Sequence, residues 1–291
     1  MFKTRFISML VLLAAVATGA MAQTTYKVSV KEGTEDATSW TFAPAEATTT
    51  GVAAGTTVTA TYSGTKKVKS VKAVKKASAS IPLDNTTTAW TAGKYAVPAG
   101  GLTYSAAITV SGDVTLMLTD GETLTLNKGI SLAEGATLTV EGNGTMNING
   151  TNNSTASTVT GTGMLVLTSG TLNAKGGNGG SLVIHDYWAD TDNNIGFSGG
   201  VAINGNVTVN GGTVTATGGN GGNLDTSHIA GGYNNHGGNG GAAISGTVTV
   251  NAGGWTATNG SNGTYTAGVG DNGCSAGTGG KAVAGAVIDN R

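Results

Sequence analysis

The densest chemistry in this 291-residue chain is the stretch "HDYWADTDNN", residues 185–194, set in sequence that is otherwise Gly, Thr, Asn and Val. Tyr187 and Trp188 offer flat apolar faces of the kind that stack on sugar rings. Asp186, Asp190, Asp192 and Asn194 offer the directional donors and acceptors that hydroxyl groups need. The same aromatics, with Phe197, would equally serve to pin their own segment onto the core beneath it. Two later segments repeat the mixture, one with His228, Tyr233, Asn234, Asn235 and His236, the other with Tyr265, Asp271 and Asn272. A shared strip of aromatics and amides that binds glycan is one reading, and solvated Gly-rich loops are the other. Asp186, Asp190 and Asp192 are also candidate Ca²⁺ ligands, though their spacing is weak evidence for a calcium site. No other metal or cofactor is expected.

Cleavage of polysaccharide would require two converging carboxylates or, for elimination, a Lys or Arg that takes the proton. Between Gly129 and Asn290 the only cations are Lys175 and Lys281, which removes the base of a lyase. Asp186, Asp190, Asp192 and Asp225 leave a polysaccharide hydrolase as the enzymatic alternative. They lie on loops rather than at strand ends, so the chain is expected not to be an enzyme. "GGNGG" at 176, 218 and 237 resembles the calcium nonapeptide "GGxGxDxUx", but Ser181, Asn223 and Ala242 stand where that motif carries Asp. These glycines are expected to make turns.

The elements that would position these segments are repeats. Ile108 and Val110 are echoed 22 residues later by Ile130 and Leu132, Leu116 and Leu118 by Leu138 and Val140, and Leu124 and Leu126 by Met146 and Ile148. Three short apolar pairs per 22 residues suit one coil of a parallel β-helix, a solenoid whose coils are stable only when stacked. The phrase "GNVTVNGGTVTATGGNGG", residues 205–222, continues the pattern. Leu165 and Leu167, Val207 and Val209, and Val248 and Val250 share one position; Leu172 and Ala174, Val214 and Ala216, and Trp255 and Ala257 share the next. These copies lie 42 and then 41 residues apart. The excess forms excursions at 177–199, 219–241 and 260–280 that should leave one edge and lie side by side, where function is to be sought. The closing "GGKAVAGAVIDNR" matches the start of the preceding copies and is expected to be an incomplete C-terminal coil, either a makeshift cap or the result of truncation.

Lys3 and Arg5, the apolar run from Phe6 to Ala17 and the triplet Ala20-Met21-Ala22 read as a secretory signal peptide over residues 1–22. Export to the extracellular space, cell surface or periplasm is therefore expected. Gln23, not Cys, stands directly after the expected cleavage point, so no lipid anchor is expected there, and no later stretch is long and apolar enough to span a bilayer. Cys274, the single Cys, allows no intramolecular disulfide. Without Lys3 and Arg5, 13 cations face 16 anions, so the near-neutral product lacks the basic footprint that nucleic acid requires. Its 50 glycines with only three prolines point to tight local geometry rather than collagen.

Residues 23–77 read as a small antiparallel β module, because Tyr26, Val28 and Val30, and Val58, Ala60 and Tyr62, alternate with polar residues. Its run Lys66, Lys67, Lys69, Lys72, Lys75 and Lys76 would contact an anionic glycan or envelope, or protect an edge strand. Residues 78–89 have linker composition, and 90–291 form the helix. The expected class is thus all-β, a right-handed parallel β-helix behind a small N-terminal antiparallel domain.

The stretch from "WTAGKYAV" through "ITVSGDVTLMLTDGETLTLNKGISLAEGATLTVEGNGTMNING", followed by copies of "VTVNGGTVTATGGNGG" and "GGNGGAAISG", resembles secreted bacterial surface proteins with pectate-lyase-like right-handed parallel β-helices, described as carbohydrate-binding-domain-containing or adhesin-like. The resemblance runs from Trp90 to the end, and its motifs carry no catalytic signature. The N-terminal module looks like one found ahead of such proteins. The resemblance implies surface attachment or recognition of a polysaccharide or surface glycan. A plain structural stalk is the alternative.

Overall fold

The computed structural model describes residues 7–12, 25–30, 40–43, 52–53, 57–62, 71–75, 80–184, 194–228 and 232–291. The chain divides into two compact units, Met1–Ala79 and Ser80–Arg291, and every named element among the described residues is a β-strand.

Among the described residues of the first unit all pairing is antiparallel. Thr57–Tyr62 lies between Ile7–Leu12 and Trp40–Ala43, and Thr25–Val30 between Val52–Ala53 and Val71–Lys75. Paired structure therefore begins ahead of residue 23: Ile7–Leu12, expected to belong to the leader, is rich in the aliphatics that favour strands and takes up an edge of Thr57–Tyr62. Val71–Lys75, which carries Lys72 and Lys75, is an edge strand, where lysines discourage pairing with other chains. Lys66, Lys67, Lys69 and Lys76 lie outside the described residues.

The second unit is built from three main parallel sheets of four, eight and six strands, which the chain visits in rotation. One such circuit runs Ile108–Val110, Asp113–Met117 and Thr123–Leu126; the next runs Ile130–Leu132, Thr137–Glu141 and Thr145–Asn149. Strand residues alternate buried and half-exposed because successive side chains point to opposite faces. The inward set, including Leu116, Leu124, Leu138, Met146, Ile148 and Leu165, forms one continuous apolar core.

Ile108 lies against Ile130 and Leu124 against Met146, the expected offset of 22. The eight-stranded sheet departs from it. Val114 pairs with Leu138 and Leu116 with Val140, an offset of 24, so Leu116 does not face Leu138. The reason is turn length. Val110 precedes Val114 by four residues while Leu132 precedes Leu138 by six, the additional residues forming a turn closed by the Ala136 N–H on the Ala133 carbonyl at 3.0 Å, with Gly135 at φ 70°. Leu118, third in the alternation Val114, Leu116, Leu118, is buried just beyond its strand.

Residues 81–90, expected largely as linker, close one end of the stack instead. Ile81–Pro82 adds a parallel strand against Tyr95 and Ala96, Ala89–Trp90 adds another, and Leu83 is buried. Trp90 stacks on Tyr95 (centroids 6.2 Å apart) and meets Tyr104 edge-on at 5.9 Å. The Tyr104 hydroxyl donates to the Asp84 carbonyl. The Asp84 carboxylate in turn accepts from the Thr86 N–H (2.9 Å) and hydroxyl (2.8 Å) and the Thr87 N–H (2.8 Å) and hydroxyl (3.0 Å), an arrangement that fixes the turn feeding Trp90 into the core.

Two outcomes are expected. Leu138→Ala should cost about 2–5 kcal/mol of unfolding free energy in urea titration, the range for emptying a fully buried leucine site. The Asp84 carboxyl is held down to about 2, chiefly by the Thr86 hydroxyl and then by the Thr87 and Thr86 N–H groups. A depressed carboxyl contributes stability above the ordinary carboxylate range and loses it as pH falls toward 2. NMR titration of Asp84 should therefore give a midpoint near 2, rising in Thr86→Val; an ordinary midpoint near ~3.9 would contradict the turn geometry.

Candidate functional site

The three excursions leave the stack at one edge and repeat one another's path. Their outer portions Leu182–Val183, Leu224–Asp225 and Tyr265–Thr266 form a further parallel sheet, with Leu224 and Ile184 buried over a small separate core. On the way back, Ile195 pairs with His236 and His236 with Ser275, and Tyr233 pairs with Asn272. Ile203, Ile244 and Val283 then extend the line begun by Val159 as each excursion rejoins the stack.

Between root and tip, outgoing and returning chains are bonded through glycine backbone. The Gly200 N–H donates to the Gly177 carbonyl (2.8 Å), Gly219 to Gly200 (2.9 Å), Gly241 to Gly219 (2.8 Å) and Gly260 to Gly241 (2.9 Å), a zigzag that alternates between the two directions. A Cβ on Gly219 would fall on the Gly177 carbonyl oxygen, one on Gly222 on that of Gly180, and one on Gly260 on that of Gly219. None of these glycines has a positive φ. The expectation that "GGNGG" makes turns is thus corrected: the glycines are there because adjacent backbones approach too closely for any side chain.

Asparagine supplies the register. The Asn152 carboxamide oxygen accepts the Asn178 N–H at 3.0 Å, Asn178 accepts the Asn220 N–H at 3.0 Å, and Asn220 accepts the Ser261 N–H at 2.9 Å. A parallel row runs through the Ser181 hydroxyl, Asn223 and the Thr264 N–H.

Among the candidates, Tyr233 is exposed (52%) and His228 stands at an exposed turn. His236 is half-buried, its Nδ1 2.8 Å from the Ser275 hydroxyl. Asn194 is half-buried and donates its N–H to the Asn235 carboxamide oxygen at 2.8 Å. Asn235 itself is 0% exposed and donates its N–H to the Cys274 sulfur at 3.3 Å. Asn235 therefore cannot present its amide to a glycan; it ties three excursions together. Asp225 accepts the Ser227 N–H at 2.9 Å within its own turn. Asp186, Tyr187, Trp188, Asp190 and Asp192 lie outside the described residues, so the Ca²⁺ candidates do too. Among the described residues no three His, Cys, Asp or Glu side chains group as a metal site.

Tyr265 belongs to a cluster that sequence reading did not assemble. Its hydroxyl lies 2.7 Å from that of buried Thr226 and donates to Asp271. Asp271 also accepts from the Thr226 hydroxyl (2.8 Å), the Gly268 N–H (2.6 Å) and, from the second excursion, the Gly232 N–H (2.8 Å). Burial and then the bond to Asp271 push the Tyr265 hydroxyl well above its ordinary value. Burial raises the Asp271 carboxyl too, but the bonds from Tyr265, Gly268, Thr226 and Gly232 outweigh it, and the net displacement is downward. The acceptors of this carboxylate are already taken up in clamping two excursions, which leaves little for proton transfer. Thr226 lies 39 residues before Tyr265 and 45 before Asp271, so no local spacing in the sequence signals the cluster.

An open groove also runs beside the turns linking the eight- and six-stranded sheets, lined by Met117, Asp120, Glu141, Asn143 and Ser169. Glu141 is paired there with Lys94 at 2.6 Å. No protein-family model, curated protein or solved structure matches the chain.

Substitution should separate these roles. Gly219→Ala should displace the second excursion and speed amide exchange at Gly241, whose N–H donates to Gly219, whereas Gly254→Ala, with only the Thr213 hydroxyl in ordinary contact at 3.8 Å, should leave exchange unchanged. Because its hydrogen bonds hold the Asp271 carboxyl below its ordinary value, the clamp should persist through the usual carboxylate range and open as pH falls below it. Asp271→Asn should remove that pH dependence from proteolysis of the second and third excursions while leaving the main stack intact.

Proposed function

We propose that this chain is an exported, non-enzymatic surface protein whose three parallel sheets close into a right-handed parallel β-helix, and whose stacked excursions bind a polysaccharide or surface glycan as an adhesin does. Rotation of the chain through three parallel sheets supports closure, and the strong right-handed preference of parallel crossovers supports the hand. Lys3, Arg5 and the apolar run that follows support export.

The observation that carries the binding reading is the in-register stacking of the excursions, which sets corresponding side chains in line at the spacing of adjacent strands. A polymer running along the stack would meet a corresponding position of each excursion in turn, such as Ile195, His236 and Ser275. Tyr233 contributes an exposed ring to that edge, and Tyr187 and Trp188 are the sequence candidates for the first excursion. The absence of cations other than Lys175 and Lys281 between Gly129 and Asn290 supports a neutral glycan and argues against lyase chemistry.

A structural stalk is the second reading, favoured by one observation: Asn235 and Tyr265 are consumed in holding the excursions together. A glycan array probed with the protein and with Trp188→Ala and Tyr233→Ala distinguishes the two. Binding should weaken by about tenfold in at least one variant, equivalent to about 1.4 kcal/mol. Absence of binding to every glycan, or equal binding by all three proteins, would establish the stalk.

A further inference from the structure

The sequence contains ten Asn-Gly steps, beginning at Asn143, Asn149, Asn178, Asn204, Asn210, Asn220, Asn239, Asn259, Asn262 and Asn272. Asn followed by Gly is chemically fragile, because the unhindered glycine nitrogen can attack the side-chain carboxamide. The reaction needs both groups unrestrained: the carboxamide must swing toward the backbone, and the glycine N–H must leave its acceptor.

The stacked layers hold at least one of the two groups in nine of the ten steps. In three of them a single neighbour holds both. The Asn178 carboxamide oxygen accepts the Asn220 N–H at 3.0 Å while the Gly179 N–H donates to the Asn220 carbonyl at 2.7 Å. Asn220 and Gly221 are held in the same way by Ser261 (2.9 and 2.8 Å), and Asn239 and Gly240 by Thr278 (2.7 and 3.1 Å). The Asn204 and Asn210 oxygens accept from Ser245 (2.5 Å) and Asn251 (2.7 Å). The glycine N–H donates to a carbonyl at Gly144, Gly150, Gly260 and Gly263.

Asn272 and Gly273 differ. Both are exposed, and among the described residues neither the Asn272 carboxamide nor the Gly273 N–H has a hydrogen-bond partner. The residue's own backbone is nevertheless engaged, its N–H on the Gly232 carbonyl (2.9 Å) and its carbonyl on the Asn234 N–H (3.1 Å).

We infer that Asn272–Gly273 is a self-modifying site, at which the folded chain converts Asn272 to aspartate and isoaspartate while the stacked Asn-Gly steps are protected. The Gly273 nitrogen bonds to the Asn272 side-chain carbonyl carbon. The carboxamide C–N bond breaks, and the displaced nitrogen leaves as ammonia carrying the former Gly273 proton. Water then opens the cyclic imide at either carbonyl, giving Asp or isoAsp. The isoaspartyl product lengthens the main chain by one carbon at residue 272, between the pairings of Asn272 with Tyr233 and of Ser275 with His236, so it shifts the third excursion against the second.

The test is to hold the protein, folded and in urea, in mildly alkaline buffer and follow each Asn-Gly peptide by mass spectrometry with isoaspartate labelling. In urea all ten steps should react. In the folded protein Asn272 should react at close to its rate in urea, while Asn178, Asn220 and Asn239 slow by at least about tenfold, the suppression given by about 1.4 kcal/mol of local opening. Asn272→Gln, which keeps the amide but disfavours the ring, should abolish modification there and leave the other steps protected as before. Reaction of the three stacked steps as fast as Asn272 in the folded protein, or an Asn272 that reacts only in urea, would overturn the inference.

Discussion

The whole of the second unit depends on main-chain hydrogen bonding between neighbouring strands of equal direction, each layer bonded to those before and after it. No layer has a core of its own. Leu124 is buried only because Leu102 lies on one side and Met146 on the other. Stability of this kind is shared along a one-dimensional array, and its weak points are the ends and the places where register could slip. Each has its own device: Trp90, Tyr95 and Tyr104 close one end, and asparagine rows fix the register.

Glycine and asparagine have complementary tasks in the excursions. A strand that leaves a sheet and returns beside itself has main-chain groups with no ladder to join, and buried unpaired groups are costly. Bonding outgoing to returning chain solves this, but only where no side chain stands between, which explains why Gly177, Gly200, Gly219 and Gly241 alternate in the zigzag. Backbones without side chains could slide past one another, and a carboxamide that captures one particular N–H prevents it.

Much of this was legible in the sequence. The offsets of 22, 42 and 41 follow from repeated apolar pairs and emerge as strand pairings in Ile108 with Ile130, Leu165 with Val207, and Val207 with Val248. The offset at Leu116 was not legible, since Val114, Leu116 and Leu118 form one unbroken alternation and only turn length chooses the pair that enters the strand. Leu83 and Asp84 read as linker because their partners, Ala96, Tyr104 and the neighbouring threonines, come from elsewhere in the fold or from side-chain bonds that composition does not reveal. At the candidate site, sequence located the edge but could not separate exposed Tyr233 from buried Asn235 two residues later, because that depends on which main-chain groups of adjacent excursions lack partners.

The asparagine rows also share a direction. In Asn127–Asn149, Asn147–Asn173, Asn210–Asn251–Asn290 and Asn152–Asn178–Asn220–Ser261, the donor always belongs to the later layer and the carboxamide oxygen to the earlier. Sheet backbone carries little net dipole, but these amides add, each with its oxygen aimed toward the later layers. Along these rows the carboxamides thus turn their negative ends toward the last strands, where the Arg291 guanidinium donates to the Gly253 carbonyl at 2.8 Å.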